Sequence, residues 1–188
     1  MRISSPSLQR SKLQRKTQKR LQELARYRFI RLESNGNQAL VGLAGDPWDA
    51  EEMSSALERI RSLAADPAKG GKINDASIEE ATVALTAENL EVFEGLKRDQ
   101  TGRAEFLDSK GESWDVKSPL SPPPHQNWHF SPHHQLQKVR KDFSNGDKVL
   151  LNLSRVNPQD RDKTLTLFSK ALTANEKGQL LILTDSPI

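Results

Sequence analysis

Two acidic residues and a lysine lie close together in a stretch whose pattern predicts a β-hairpin. Asp108 ends a short apolar run, a turn containing Gly111 follows, and Asp115 and Lys117 are two positions apart in the next run. Because side chains at positions i and i+2 of a strand point to the same face, Asp115 and Lys117 should lie together while Val116 points the other way. An acid and a lysine held side by side can assist hydrolysis.

The chemistry that these groups predict is metal-assisted cleavage of a phosphodiester bond. Asp108 and Asp115 could lie side by side across the hairpin, and Mg²⁺ binds carboxylate oxygens together with water and substrate phosphate. Lys117 would orient the attacking water and stabilise the charge that develops on phosphorus. Glu80 or Glu88, on the preceding predicted helix, would complete the set. The alternative is structural, because an Asp–Lys salt bridge worth about 0.2 to 1 kcal/mol is common in hydrophilic proteins.

The elements that would position these residues form an α/β pattern over residues 77–188. The order of helices and strands predicts a small mixed central sheet flanked by helices. The predicted elements are a helix from Ser77, strands Ala104–Asp108 and Ser113–Lys117, helix His134–Phe143, strand Lys148–Leu153, helix Pro158–Leu172 and strand Gln179–Thr184.

The N-terminal region differs in composition and predicts an α-helical part of its own. Residues 1–33 hold ten Lys or Arg residues and two Glu residues, a net charge of +8, whereas the rest of the chain has a net charge of −5. Apolar spacing predicts a helix over Ser7–Leu32 and a second helix from about Pro47 to Ala65. We therefore predict a basic arm or docking region over residues 1–65 and a linker over residues 66–76.

Composition excludes several kinds of chemistry. The sequence contains no cysteine, so disulfides, thiolate catalysis and cysteine-based zinc sites are excluded. Apolar residues make up 35% of the sequence and the mean hydropathy is −0.70. No apolar run reaches the length of a membrane span, and the N-terminus lacks the apolar segment of a signal peptide.

A proline-rich stretch over residues 118–134 predicts a loop rather than a helix or a central strand. This loop could contact phosphates or a substrate base, with Trp128 and Phe130 as stacking surfaces. The alternative is an ordinary surface loop.

The sequence around the acids resembles the PD-(D/E)xK nuclease superfamily. More closely, it is similar to a toxin domain at the C-terminus of bacterial polymorphic and contact-dependent growth inhibition proteins. The residues that carry the likeness are "EEATVALTAEN" over 79–89, "KRDQTGRAEFLDSKGESWDVKSP" over 97–119, and the segments over 139–172 and 178–185. The superfamily's proline is replaced by Leu107, which departs from the pattern.

The resemblance implies a restriction-endonuclease-like core and a role for each acid. Asp108 would be the first metal-binding acid, Asp115 the second, and Lys117 the catalytic lysine. Glu80 or Glu88 would be the helix acid, with Glu88 as a metal ligand. The backbone of Val116 is a further metal ligand in this interpretation.

The same resemblance implies the cofactor, the partners and the place of action. The metal would be Mg²⁺ or Mn²⁺, and the substrate would be DNA or tRNA. A toxin of this kind would have a cognate immunity protein and would act in the cytoplasm of a target cell after delivery. The alternative hypothesis is a catalytically inactive nucleic-acid-binding or adaptor protein that uses the basic N-terminal arm.

Overall fold

A mixed sheet with helices on both faces forms the body of the protein. The computed structural model describes residues 6–43 and 48–185, with side chains described over 12–42 and 48–185. In these residues seven strands form one sheet in the order β2-β1-β7-β6-β5-β4-β3. The predicted α/β class and the mixed central sheet are therefore confirmed.

The elements begin and end close to the predicted positions in the C-terminal half. None of the helices in the described ranges has the length and apolar character needed to cross a membrane. The helices are α1 (Pro6–Leu24), α2 (Ala50–Ala64), α3 (Asp75–Asn89), α4 (Pro132–Ser144), α5 (Pro158–Ala171) and α6 (Ala174–Gly178). The strands are β1 (Arg28–Leu32), β2 (Gln38–Leu43), β3 (Lys97–Arg98), β4 (Phe106–Leu107), β5 (Ser113–Lys117), β6 (Lys148–Asn152) and β7 (Leu180–Thr184).

The centre of the sheet is parallel and buried. β5 pairs with β6 and β6 with β7 in parallel register. The sequences of β6 and β7 are nearly continuous apolar runs, as expected for strands covered on both faces. One core cluster lies under α1, α2 and α3, and a second lies under α4 and α5.

The predicted separation of residues 1–65 from the rest of the chain is not what the structure contains. The helix predicted over Ser7–Leu32 ends at Leu24, and β1 then pairs antiparallel with both β2 and β7. Phe29 and Ile30 are fully buried in that strand. Tertiary pairing with β7 thus overrides the helical pattern, since apolar β-formers gain more by joining the sheet.

The predicted linker over residues 66–76 is an ordered connection. It contains a 3₁₀ turn over Pro67–Lys69 and ends where α3 begins at Asp75. Asn74 is the N-cap of α3 and forms a capping box with Ser77, so the helix starts two residues before the predicted Ser77.

Candidate functional site

The acid and lysine of β5 lie together as their spacing predicts. The Lys117 Nζ atom is 2.8 Å from an Asp115 carboxylate oxygen and 3.2 Å from an Asp142 carboxylate oxygen. Val116 points into the core cluster beneath α3. Burial by itself would lower the pKa of Lys117, but its contacts with Asp115, Glu105 and Asp142 outweigh burial and raise it. Lys117 is therefore a charged group held among carboxylates.

The acid across the hairpin from Asp115 is Glu105, which the sequence analysis did not select. Phe106 pairs with Trp114, and Leu107 pairs with Ser113, so the next position along the register sets Glu105 opposite Asp115. The Glu105 carboxylate accepts a hydrogen bond of 2.6 Å from the Val116 backbone amide. The sequence contains a signal for this pairing. A three-residue turn that ends in Gly111 would make Asp108 and Glu112 the closing pair of the hairpin, and this register sets Glu105 opposite Asp115.

Asp108, the predicted first acid, lies away from this group in the structure. Its carboxylate accepts hydrogen bonds from the Lys110 and Glu112 backbone amides and from the Trp114 indole nitrogen at 3.0 Å. Trp114 faces opposite to Asp115 because neighbouring residues of a strand alternate. The Asp108 carboxylate therefore stabilises the turn and holds the indole of Trp114 in the core.

The two candidate helix acids, Glu80 and Glu88, lie in different surroundings. Glu80 contacts the Glu105 carboxyl and lies 3.8 Å from the Arg98 guanidinium. Glu88 lies two turns further along α3, where it pairs with Arg59 at 2.8 Å and accepts a hydrogen bond from the Leu96 amide. Glu80 therefore belongs to the cluster, and Glu88 does not.

The electrostatics of the cluster are those of carboxylates crowded together away from water. Burial raises the pKa of Glu105 well above its ordinary value, and the charges of Asp115 and Glu80 raise it further. Burial and the Asp115 charge also raise the pKa of Glu80, against the opposing effect of Arg98. The pKa of Asp142 is raised by burial and then by Asp115. A positive charge among these groups would relieve their repulsion.

The donor atoms suit a hard divalent cation. Glu80, Glu105 and Asp115 offer carboxylate oxygens, and the buried Asp115 Oδ1 oxygen is held by its ion pair with Lys117. Within residues 6–43 and 48–185, however, no three His, Cys, Asp or Glu side chains are already arranged as a metal-binding group. A metal would therefore need small side-chain movements, including displacement of the Lys117 ammonium from between Asp115 and Asp142.

The cluster opens into a cleft of about 550 Å³. Its floor is the end of β5, and its walls are the proline-rich loop and the first turns of α4. Its lining includes Glu80 and Glu105 together with Trp128, His134 and Lys138. The site is thus accessible from solvent and is wide enough for a nucleotide-sized ligand.

Comparison with known proteins does not assign the chain to a family. No protein-family model, curated protein or solved structure matches the chain. The fold and the site define the chain as a mixed α/β protein with a carboxylate–lysine cluster at one end of its sheet.

Proposed function

We propose that the chain is a metal-dependent nuclease whose core is restriction-endonuclease-like. The observation that carries the proposal is the position of Glu105, which lies across the hairpin from Asp115 and touches Glu80. Glu80, Glu105 and Lys117 then line one cleft, and Asp115 contacts both Glu105 and Lys117. This arrangement supports the PD-(D/E)xK interpretation with Glu105 in place of Asp108 and Glu80 in place of Glu88.

The carboxylates and the lysine of the cluster would have different roles in the reaction. Glu80, Glu105 and Asp115 would hold Mg²⁺ or Mn²⁺, with the Val116 backbone as a further ligand. The bound cation would polarise the phosphate and lower the pKa of a coordinated water. The raised pKa of Lys117 keeps its ammonium protonated at neutral pH, so Lys117 acts as a hydrogen-bond donor and cation and not as a base.

The biological setting that we propose is an antibacterial toxin effector. The support is the likeness of residues 79–89 and 97–119 to toxin domains of contact-dependent growth inhibition proteins. Such an effector would cleave DNA or tRNA in the cytoplasm of a target cell, and its producer would need an immunity protein.

The test is a cleavage assay with plasmid DNA and with total tRNA, each in Mg²⁺, Mn²⁺ or EDTA. The wild-type chain should cleave one substrate only with metal, and the Asp115→Ala variant should not cleave it. Glu88→Gln is the matched control, because Glu88 is an acid of the same helix outside the cluster. Cleavage by Asp115→Ala at the wild-type rate would contradict the proposal.

A second candidate is a nucleic-acid-binding protein with an inactive nuclease core. The observation that favours it is that Lys117 already occupies the space between Asp115 and Asp142, with no preformed metal group in the described residues. It predicts mobility shifts that persist in EDTA, weaken steeply with salt and are lost when residues 1–33 are deleted.

A further inference from the structure

An exposed tryptophan lies in the wall of the cleft. Trp128 is 43% exposed, whereas Trp114 is 5% exposed and packs in the core. Of the other large apolar side chains of comparable exposure in the described structure, Leu120 lines the same cleft, whereas Leu40 and Ile73 do not. An indole left in water beside a polar cluster is costly unless a ligand covers it, because its large apolar surface is not buried.

The loop that carries Trp128 is held at both ends. Ser121 donates a hydrogen bond of 2.7 Å to the Asp160 carboxylate and accepts one from the Asn157 amide. At the other end Ser131 caps α4 by accepting a hydrogen bond from the His134 amide, and Phe130 packs against the core cluster beneath α4. The loop therefore presents Trp128 from a defined backbone, which lowers the entropic cost of binding.

The indole is also positioned within the loop itself. Its nitrogen donates a hydrogen bond of 2.5 Å to the side-chain oxygen of Gln126. Because this bond satisfies the polar edge of the ring, the exposed surface of Trp128 is apolar and flat. Such a surface accepts another planar ring by stacking.

The surroundings of Trp128 carry polar and positive groups that match a nucleotide. Lys138 and His134 line the same cleft as Trp128. Gln135 is 9% exposed and also lines the cleft. A side-chain amide at this position can both donate a hydrogen bond to a nucleotide and accept one from it.

We propose that Trp128 forms a subsite that stacks on one unpaired nucleobase of a single-stranded nucleic acid bound in the cleft. The partner base must be unpaired because both faces of a base inside a duplex are covered by its stacked neighbours. The subsite rests on the proposed nuclease function in one respect: the phosphate next to this base would face Glu105, Asp115 and Lys117. It deepens that function by naming single strands, loops or ends as the substrate class.

The binding test uses the full chain in EDTA, so that no cleavage intervenes. Fluorescence anisotropy is measured with a labelled DNA strand, an RNA strand of the same sequence, and the duplex of the DNA strand. Wild type should bind at least one single strand more tightly than the duplex. Comparison of the RNA strand with the DNA strand shows which sugar is preferred. Trp128→Ala should bind that strand about 5- to 150-fold more weakly, the range for losing one base–aromatic stack.

Two variants serve as controls for this measurement. Trp128→Phe keeps a planar ring and should retain most of the affinity. Leu40→Ala removes a side chain of similar exposure on β2, outside the cleft, and should bind as wild type does. Equal affinities of Trp128→Ala and wild type, tighter binding of the duplex, or no binding by wild type would each overturn the subsite.

The subsite and the nuclease can fail separately. Single-strand binding that depends on Trp128, with no cleavage in Mg²⁺ or Mn²⁺, would contradict the nuclease and leave the subsite standing. Metal-dependent cleavage with equal rates for single strands and duplex, and no change in KM for Trp128→Ala, would contradict the subsite and leave the nuclease standing.

Discussion

At the scale of single residues, the choice between Glu105 and Asp108 decides how the site works. Glu105→Gln should lower metal-dependent cleavage by more than about 100-fold, since even outer partners of metal ligands cost about 10- to 100-fold. Asp108→Asn should keep cleavage and instead lower the melting temperature, because its carboxylate accepts two backbone amides and the Trp114 indole. Steady-state cleavage rates and thermal unfolding of both variants check this. Loss of cleavage activity in Asp108→Asn at an unchanged melting temperature would instead identify Asp108 as an acid of the site.

The raised pKa of Glu105 also predicts how stability depends on pH. The folded chain binds this proton more tightly than the unfolded chain does, since burial and then the charges of Asp115 and Glu80 raise the pKa of Glu105. The stabilising effect of that proton is complete below the unfolded pKa of about 4.3 and is lost as pH rises through the folded pKa. Glu105→Gln, which cannot ionise, should therefore be more stable than wild type at neutral pH.

The expected gain at neutral pH is about 0.5 to 2 kcal/mol, typical of relieving strain at a functional site. It should shrink towards about pH 4, where Glu105 of wild type becomes protonated in both states. Urea unfolding of the two proteins at both pH values measures the difference. A glutamine variant that is less stable than wild type by the same amount at both pH values would contradict the pKa argument.

At the scale of elements, α1 is attached to the core through a partly buried ion pair. The Arg20 guanidinium donates to both Glu79 oxygens and to the Ser154 hydroxyl, and Glu79 also accepts from Asn152. The side chains of Arg20 and Glu79 are 13% and 12% exposed. This network joins α1, α3 and the end of β6 next to Glu80.

Arg20→Ala should lower the free energy of unfolding by about 1.5 to 3 kcal/mol, because the partly buried Glu79 carboxylate would lose its charged hydrogen-bond donor. Lys16→Ala is the matched control on the same helix. Lys16 pairs with Asp75 at 2.7 Å, but both side chains are mostly exposed, so the cost should stay below about 1 kcal/mol. Chemical denaturation measures both, and equal costs would show that α1 is not attached through Arg20.

Prediction from sequence was most successful for elements with strong local patterns. The bounds of β5, β6 and α5 lie within one residue of those predicted, because each is an apolar or amphipathic run between clear turn residues. β3 was missed since only two residues form it, and Lys97 and Arg98 carry no apolar alternation. α1 was extended too far because β1 continues its apolar spacing without a Gly or Pro between them.

At the scale of the whole molecule, the N-terminal region should be required for folding. β1 covers the edge of β7 through pairs that include Ile30 with Ile182, and α1 and α2 cover α3. A chain of residues 66–188 should therefore expose apolar surface and an unpaired edge strand, and we expect it to aggregate or remain unfolded. The full chain should unfold in a single transition.

Circular dichroism and urea unfolding of the two chains test this expectation. Independent, cooperative folding of residues 66–188 would support the two-part organisation that composition suggested. An additional early transition in the full chain would do the same.

The sequence by itself determined what depends on neighbouring residues. Alternation with a period of two brought Asp115 and Lys117 to one face, and helical and strand periodicity predicted the α/β order. Tertiary structure alone decided which more distant groups join them. The hairpin register selected Glu105 over Asp108, the packing of α3 selected Glu80 over Glu88, and pairing with β7 drew the basic N-terminal region into the sheet. These choices depend on contacts between residues far apart in the chain, and local periodicity carries no information about the partner of such a contact.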